Sequence, residues 1–166
     1  MVKSKILDIE INEKIFKIIC AVGMIIILLF CLYLYLELGA IRKYKIPEDI
    51  KIDKGEQIEF TIDEVITSRK YIQIAGWAYK KGQNIGYFNN RFIIKNMQTN
   101  EYKALRTEMT NKDELFSVDS KYDCRRAGMF AKSIAISLKK GIYKIFIEYK
   151  NDDQNFLVDT GETFKY

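Results

Sequence analysis

A chain of 166 residues, 48% hydrophobic and 30% charged, has the length of one ordinary domain and the composition of a folded protein. Its formal net charge is +5, and from Lys45 onward 21 basic residues face 18 acidic ones, leaving +3. That balance lacks the clustered basic footprint of a nucleic-acid binder, and the absence of histidine excludes Ser-His-Asp and Cys-His nucleophile arrangements.

Residues 1–17 read as a short cytoplasmic tail. Its stretch "LDIEINEKIFKII" has helical apolar spacing at Ile6, Ile9, Phe16 and Ile19, which would extend the next element. Residues 18–36, "IICAVGMIIILLFCLYLYL", form a run of 19 residues without a charge. At about 1.5 Å per residue it spans roughly 28 Å, close to a hydrocarbon core of about 30 Å. Phe16 at one end, and Tyr33 and Tyr35 at the other, sit where interfacial aromatics belong. The run is longer than a signal-peptide core, and Leu38 is large where a cleavage site wants a small residue, so an uncleaved anchor is expected. The flanking charges nearly match: Lys3, Lys5, Lys14 and Lys17 stand against Arg42, Lys43 and Lys45. Long domains translocate largely regardless of such charges. A single-pass protein of the cell membrane, with its C-terminal domain extracellular, is the expected arrangement.

Residues 37–56 contain the sole proline, Pro47, and read as a charged stalk; the folded domain is expected over residues 57–166. There the period becomes two. "QIEFTID" puts Ile58, Phe60 and Ile62 on one face, as a half-buried strand does. "KYIQIAGWAY" follows. "RFIIKNM" and "EYKALRTEM" flank a turn at "QTN". "GMFAKSIAISL" and "IYKIFIEYK" flank "KKG", where Gly141 can supply a left-handed turn. "NFLVDT" and "ETFKY" come after turns at "NDDQ" and Gly161, and residues 111–128 are irregular with room for a helical turn. Within "IYKIFIEYK", Tyr143, Ile145, Ile147 and Tyr149 make one face, while Ile142 and Phe146 lie on the other. A strand apolar on both sides is central in its sheet, or is covered by a partner. Seven or eight short strands predict a mainly β fold: an antiparallel β-sandwich, immunoglobulin-like or jelly-roll-like, behind one N-terminal transmembrane helix.

Several pieces in order carry a resemblance: Gly76, Trp77 and Ala78 on a strand; Arg125 or Arg126 in a loop; Gly128 with Phe130; and Leu138, Gly141, Tyr143 and Ile145 around a turn. The set resembles a family of β-sandwich accessory domains found in Gram-positive membrane proteins and in glycosyltransferases of surface-polysaccharide pathways. It covers residues 58–166, and it departs from the family pattern at "AGMF", which stands in place of a direct Gly-Phe pair. The resemblance implies a fold and an envelope setting, and no catalytic residues.

Chemistry-bearing residues are few. Cys20 and Cys31 lie in the apolar run, so Cys124 stands alone in the soluble part and no disulfide is expected within it. Cys124 beside Arg125 would suit a transpeptidase only with a histidine to activate it. "NDDQN" has no EF-hand spacing and reads as a turn rich in turn formers. "KKGQNIG" lies between strands, where no helix N-terminus receives a phosphate. No catalytic residue, metal site or cofactor is expected.

The only tryptophan poses the sharpest question. On a strict pleat Ile72, Ile74 and Gly76 share a face, and Trp77 lies opposite with Tyr79. A bulge at Gly76 would turn Trp77 inward. Burial in the core is preferred; stacking on a sugar ring, with Tyr79 and Tyr87, is the alternative. Arg125 and Arg126 offer an ion pair within their acidic loop, or recognition of an acidic glycan.

The expected function is non-enzymatic. A membrane-anchored envelope protein uses its β-sandwich to bind a protein partner or a surface polysaccharide, with the lipid bilayer as its other contact. As the alternative, the chain is an accessory subunit of a membrane enzyme or transporter, held by its transmembrane helix.

Overall fold

The computed structural model describes residues 13–38, 40–85, 89–117, 122–152 and 154–166. Most of the expected tail, residues 1–12, lies outside them. The chain divides between residues 38 and 39 into two units.

The first unit contains helix α1 (Glu13–Leu38), 26 residues long and therefore about 39 Å at the α-helical rise. In hydrocarbon every backbone N–H and C=O must find its partner inside the segment, which a continuous helix achieves. Its large apolar side chains are open all round, as at Ile18, Leu28 and Tyr35. The helix is long and apolar enough to cross a membrane.

Among the described residues, the second unit contains ten strands. A six-stranded sheet has the order β1 (Arg42–Lys43), β6 (Tyr102–Ala104), β5 (Arg91–Asn96), β9 (Ile142–Asn151), β10 (Gln154–Lys165), β2 (Lys51–Asp53). The four-stranded sheet runs β3 (Ile58–Thr67), β4 (Tyr71–Lys80), β8 (Gly128–Ile134), β7 (Thr107–Thr110). Every pairing is antiparallel except β2 with β10. The period-two pattern explains the core. Ile72, Ile74 and Ala78 of β4 meet Tyr143, Ile145, Ile147 and Tyr149 of β9 in one buried cluster drawn from both sheets. Each such side chain contributes about 2 kcal/mol by leaving water.

The hairpin at residues 97–101 and the pairing of Asn151 with Gln154 match expectation. Asn100 and Asp152 take the positive φ angles, 56° and 50°, that their short polar side chains tolerate. Elsewhere the connections differ. "EYKALRTEM" is split: β6 belongs to one sheet and β7 to the other. The hydroxyl of Thr107 fastens this crossing, accepting from the Phe92 N–H at 2.9 Å and donating to the Leu105 carbonyl at 3.2 Å. The segment around "KKG" also passes between sheets, from β8 to β9, so it is not a hairpin turn. Gly141 is not left-handed there; it pairs with Tyr166 through two 2.9 Å backbone bonds. "NFLVDT" and "ETFKY" run together as β10, with an irregularity between Asp159 and Thr163.

The expected stalk differs most. Residues 42–53 hold β1 and β2, at opposite edges of the six-stranded sheet. Between them Tyr44, Ile46 and Ile50 pack on Ile93, Ala104, Phe146 and Leu157 in a separate cluster. The second apolar face of β9 is thus covered by the chain's own segment that follows the helix in sequence. Buried Asp53 then turns the chain toward β3, its carboxylate accepting from the N–H groups of Glu56, Gln57 and Ile58 at 3.1–3.2 Å.

One polar cluster pins this cover. Glu148, only 4% exposed, accepts the Tyr44 hydroxyl at 2.9 Å and an ion-paired hydrogen bond from Arg91 Nε. The Arg91 guanidinium also lies over the Tyr44 ring, 5.2 Å from its centre. Burial first, and then the bond to Glu148, push the Tyr44 phenol well above its ordinary range. Across the other sheet, Gly76 is fixed by space. A Cβ there would stand 2.3 Å from the Thr61 carbonyl oxygen, opposite the pairing irregularity between Ile62 and Glu64.

Two outcomes follow from these contacts. Gly76→Ala forces strand backbone apart and is expected to lower stability by more than about 2 kcal/mol in denaturant unfolding. Arg91→Ala leaves a buried carboxylate without its cation and should cost about 2 kcal/mol. Adding Glu148→Gln should recover part of that loss, a coupling that a double-mutant cycle reads directly.

Candidate functional site

The two faces of β4 decide what Trp77 can do. The irregularity opposite Gly76 falls on β3, so β4 keeps its alternation and Trp77 stays on the face away from Ile72, Ile74 and Ala78. It is nevertheless half-buried. Two short 3-10 turns, Asp113–Ser117 and Arg125–Ala127, lie over this face. Beneath them Tyr79, Leu115, Cys124 and Ala127 form a second buried cluster, which Trp77, Ile85 and Tyr122 join at its margin. The preferred core position is therefore not the one observed: β4 has no bulge to turn Trp77 inward, and the indole lies partly buried at the margin of this smaller cluster.

Tyr79 is only 2% exposed and its hydroxyl donates to Glu59 at 2.6 Å. Its ring stacks with Trp77, centres 5.5 Å apart and planes inclined by 29°. With one side against Trp77 and the rest enclosed, Tyr79 has no face left for a sugar; it braces the indole instead. Tyr87 lies outside the described residues.

The covering loop is held at several points. Lys112 donates its backbone N–H to the Arg125 carbonyl at 2.7 Å and its ammonium to Asp63 at 2.9 Å. Asp63 is the residue that the β3 irregularity leaves out of the ladder. The hydrogen bond to Asp63 raises the Lys112 pKa and keeps the ammonium charged. The Asp123 N–H donates to the Asn84 side chain at 3.1 Å, so the loop after β4 meets the covering loop. Gly128 stands opposite Trp77 in register, and a Cβ there would lie 2.5 Å from Thr110 Oγ1 and 2.7 Å from its carbonyl.

Arg125 and Arg126 are both exposed on the rim. Arg125 binds Asp123 in bidentate fashion, Nε to Oδ1 at 3.0 Å and Nη2 to Oδ2 at 2.8 Å. The expected ion pair within this loop is present. Arg126 makes no ion pair among the described residues. Cys124 is 2% exposed and packs as a small apolar group. Four of the five sequence-predicted residues thus occupy one neighbourhood: Trp77 and Tyr79 within, Arg125 and Arg126 at the edge. Sequence reasoning missed Lys112, Asp63 and Tyr122. The pairing of Lys112 with Asp63 joins positions 49 residues apart in the chain, which no local pattern shows.

No family model, curated protein or solved structure matches the chain. The residues quoted above alone carry the resemblance to envelope β-sandwich domains.

The loop's ion pair has a pH signature. The Arg125 hydrogen bonds hold the Asp123 carboxyl down to about 2, against an ordinary 3.8. A depressed folded-state value means the contribution is complete above the unfolded value and disappears as pH falls toward the folded one. Carboxyl-resolved NMR should show Asp123 titrating near 2, and Arg125→Ala should return it to the ordinary range. Trp77 emission should report the loop loosening over the same acidic window.

Proposed function

We propose that this protein is a single-pass membrane anchor for an extracellular β-sandwich, immunoglobulin-like or jelly-roll-like, that binds a partner in the cell envelope. An acidic surface polysaccharide is the ligand class its chemistry favours. The two sheets sharing one core support the sandwich, and helix α1 supports the anchor.

One observation carries the binding reading: Trp77, Tyr122, Arg125 and Arg126 converge on one loop-covered face from two separate stretches of chain. Arginine guanidiniums take carboxylate or phosphate oxygens in bidentate pairs. An indole edge offers apolar area to the carbon face of a sugar ring. Arg125 is already matched by Asp123 and orients the rim, which leaves Arg126 as the recognition cation. Binding needs no proton transfer, consistent with a chain that has no histidine.

Titrating the full chain in neutral nanodiscs with anionic envelope polysaccharide should shift Trp77 emission. Arg126→Ala should weaken the apparent affinity about tenfold, the worth of one charge-assisted hydrogen bond, without changing thermal stability. Unaltered emission, or equal affinity in the variant, would remove this face from the function. If crosslinking in membranes instead yields a discrete heteromer that disappears when residues 18–36 are exchanged for another apolar helix, the accessory-subunit reading takes its place.

A further inference from the structure

A different end of the β domain carries charge that the Trp77 face does not use. The turn between β3 and β4 brings Arg69 and Lys70, the passage from β8 to β9 brings Lys139 and Lys140, and the end of β10 brings Lys165. All five are exposed, and none has an ion-pair partner among the described residues. Backbone bonds hold these segments together. The Ala135 N–H donates to the Lys70 carbonyl at 2.9 Å, and the Tyr166 hydroxyl reaches the carbonyls of Arg69 and Ala135, each at 3.2 Å. Arg69, Lys140 and Lys165 line a common shallow groove of ≈ 210 Å³.

An apolar group stands among these cations. Ile136, on the 3-10 turn Ala135–Ser137, is 78% exposed, more than any other large apolar side chain described, those of the membrane-spanning helix included. Nearby Ile142 and Ile66 are 47% and 36% exposed. The Lys103 ammonium donates to the Ser137 carbonyl at 3.0 Å, adding a sixth cation at the base of the turn.

We infer that this end of the domain docks on an anionic phospholipid surface, with Ile136 entering the headgroup–acyl boundary and Arg69, Lys70, Lys139, Lys140 and Lys165 meeting lipid phosphates. Basic residues attract an anionic leaflet, and an apolar side chain among them gains by entering it. A soluble polyanion would satisfy the cations and leave Ile136 in water, so lipid accounts for both features. The chain also carries its own apolar helix, which keeps a bilayer at high local concentration. This inference is independent of the Trp77 face.

Amide hydrogen exchange on the full chain tests it, in nanodiscs of phosphatidylcholine alone and of a phosphatidylglycerol–phosphatidylcholine mixture. Exchange over residues 135–141 and 68–70 should be at least about threefold slower in the anionic discs, while Asn151 and Gln154 exchange alike in both. Lys139→Glu with Lys140→Glu should abolish the difference, and Ile136→Asp should reduce it. These side chains are exposed, so melting temperature should hold in each variant. Equal exchange in the two discs overturns the inference. So does full protection retained by Ile136→Asp. Equal protection by soluble poly(glycerol phosphate) added to the neutral discs would reassign the surface to a soluble polymer and overturn it too.

Discussion

Strand β9 is apolar on both faces, and the rest of the domain is arranged around that fact. Tyr143, Ile145, Ile147 and Tyr149 require one cover, and Phe146 requires another. The four-stranded sheet supplies the first. The second comes from residues 44–50, which cross the outer face from the β1 edge to the β2 edge. Water on either side would leave a central strand with an apolar face exposed, and a sheet in that state invites association. Glu148 is the polar exception on the outer face. It is tolerated because Arg91 and Tyr44 satisfy it, and in satisfying it they fix where the cover lies.

What was legible in the sequence followed period. The alternation in β3, β4 and β9 predicted their faces, and the uncharged run predicted α1. Asn100 and Asp152 marked real turns. The missed features had no period to read. Tyr44, Ile46 and Ile50 are single apolar residues set among charges, and their partners Ile93, Phe146 and Leu157 lie far along the chain. The split of "EYKALRTEM" hinges on Leu105 and Arg106, with neither glycine nor proline to announce it. Gly141 looked like a turn former, yet its place is a close backbone pairing with Tyr166.

The candidate site shows the same division. A strict pleat placed Trp77 opposite Ile72 and Ile74, and the structure agrees. No local pattern could show that Leu115, Tyr122, Cys124 and Ala127 return to cover that face. Tyr79 was grouped correctly with Trp77 but given the wrong accessibility, because enclosure depends on Leu115, Cys124 and Ala127 arriving from elsewhere. A site of this kind is built by a loop closing on a sheet. Its open edge carries Arg125 and Arg126, and the aromatic pair lies beneath.

The pairing of Arg42 and Lys43 with Lys103 and Ala104 has a mechanical consequence. These are the first strand residues after the apolar helix, so tension drawn along the chain from its N-terminal side enters the fold there. Two residue pairs make this the smallest strand pairing described, and Tyr44 with its bond to Glu148 comes next along the chain. Further along, β2 joins β10 in parallel through three residue pairs. A pull from the N-terminal side thus meets a two-pair edge, then the Tyr44–Glu148 bond, then a three-pair edge, a series of holds passed before the long strands are reached.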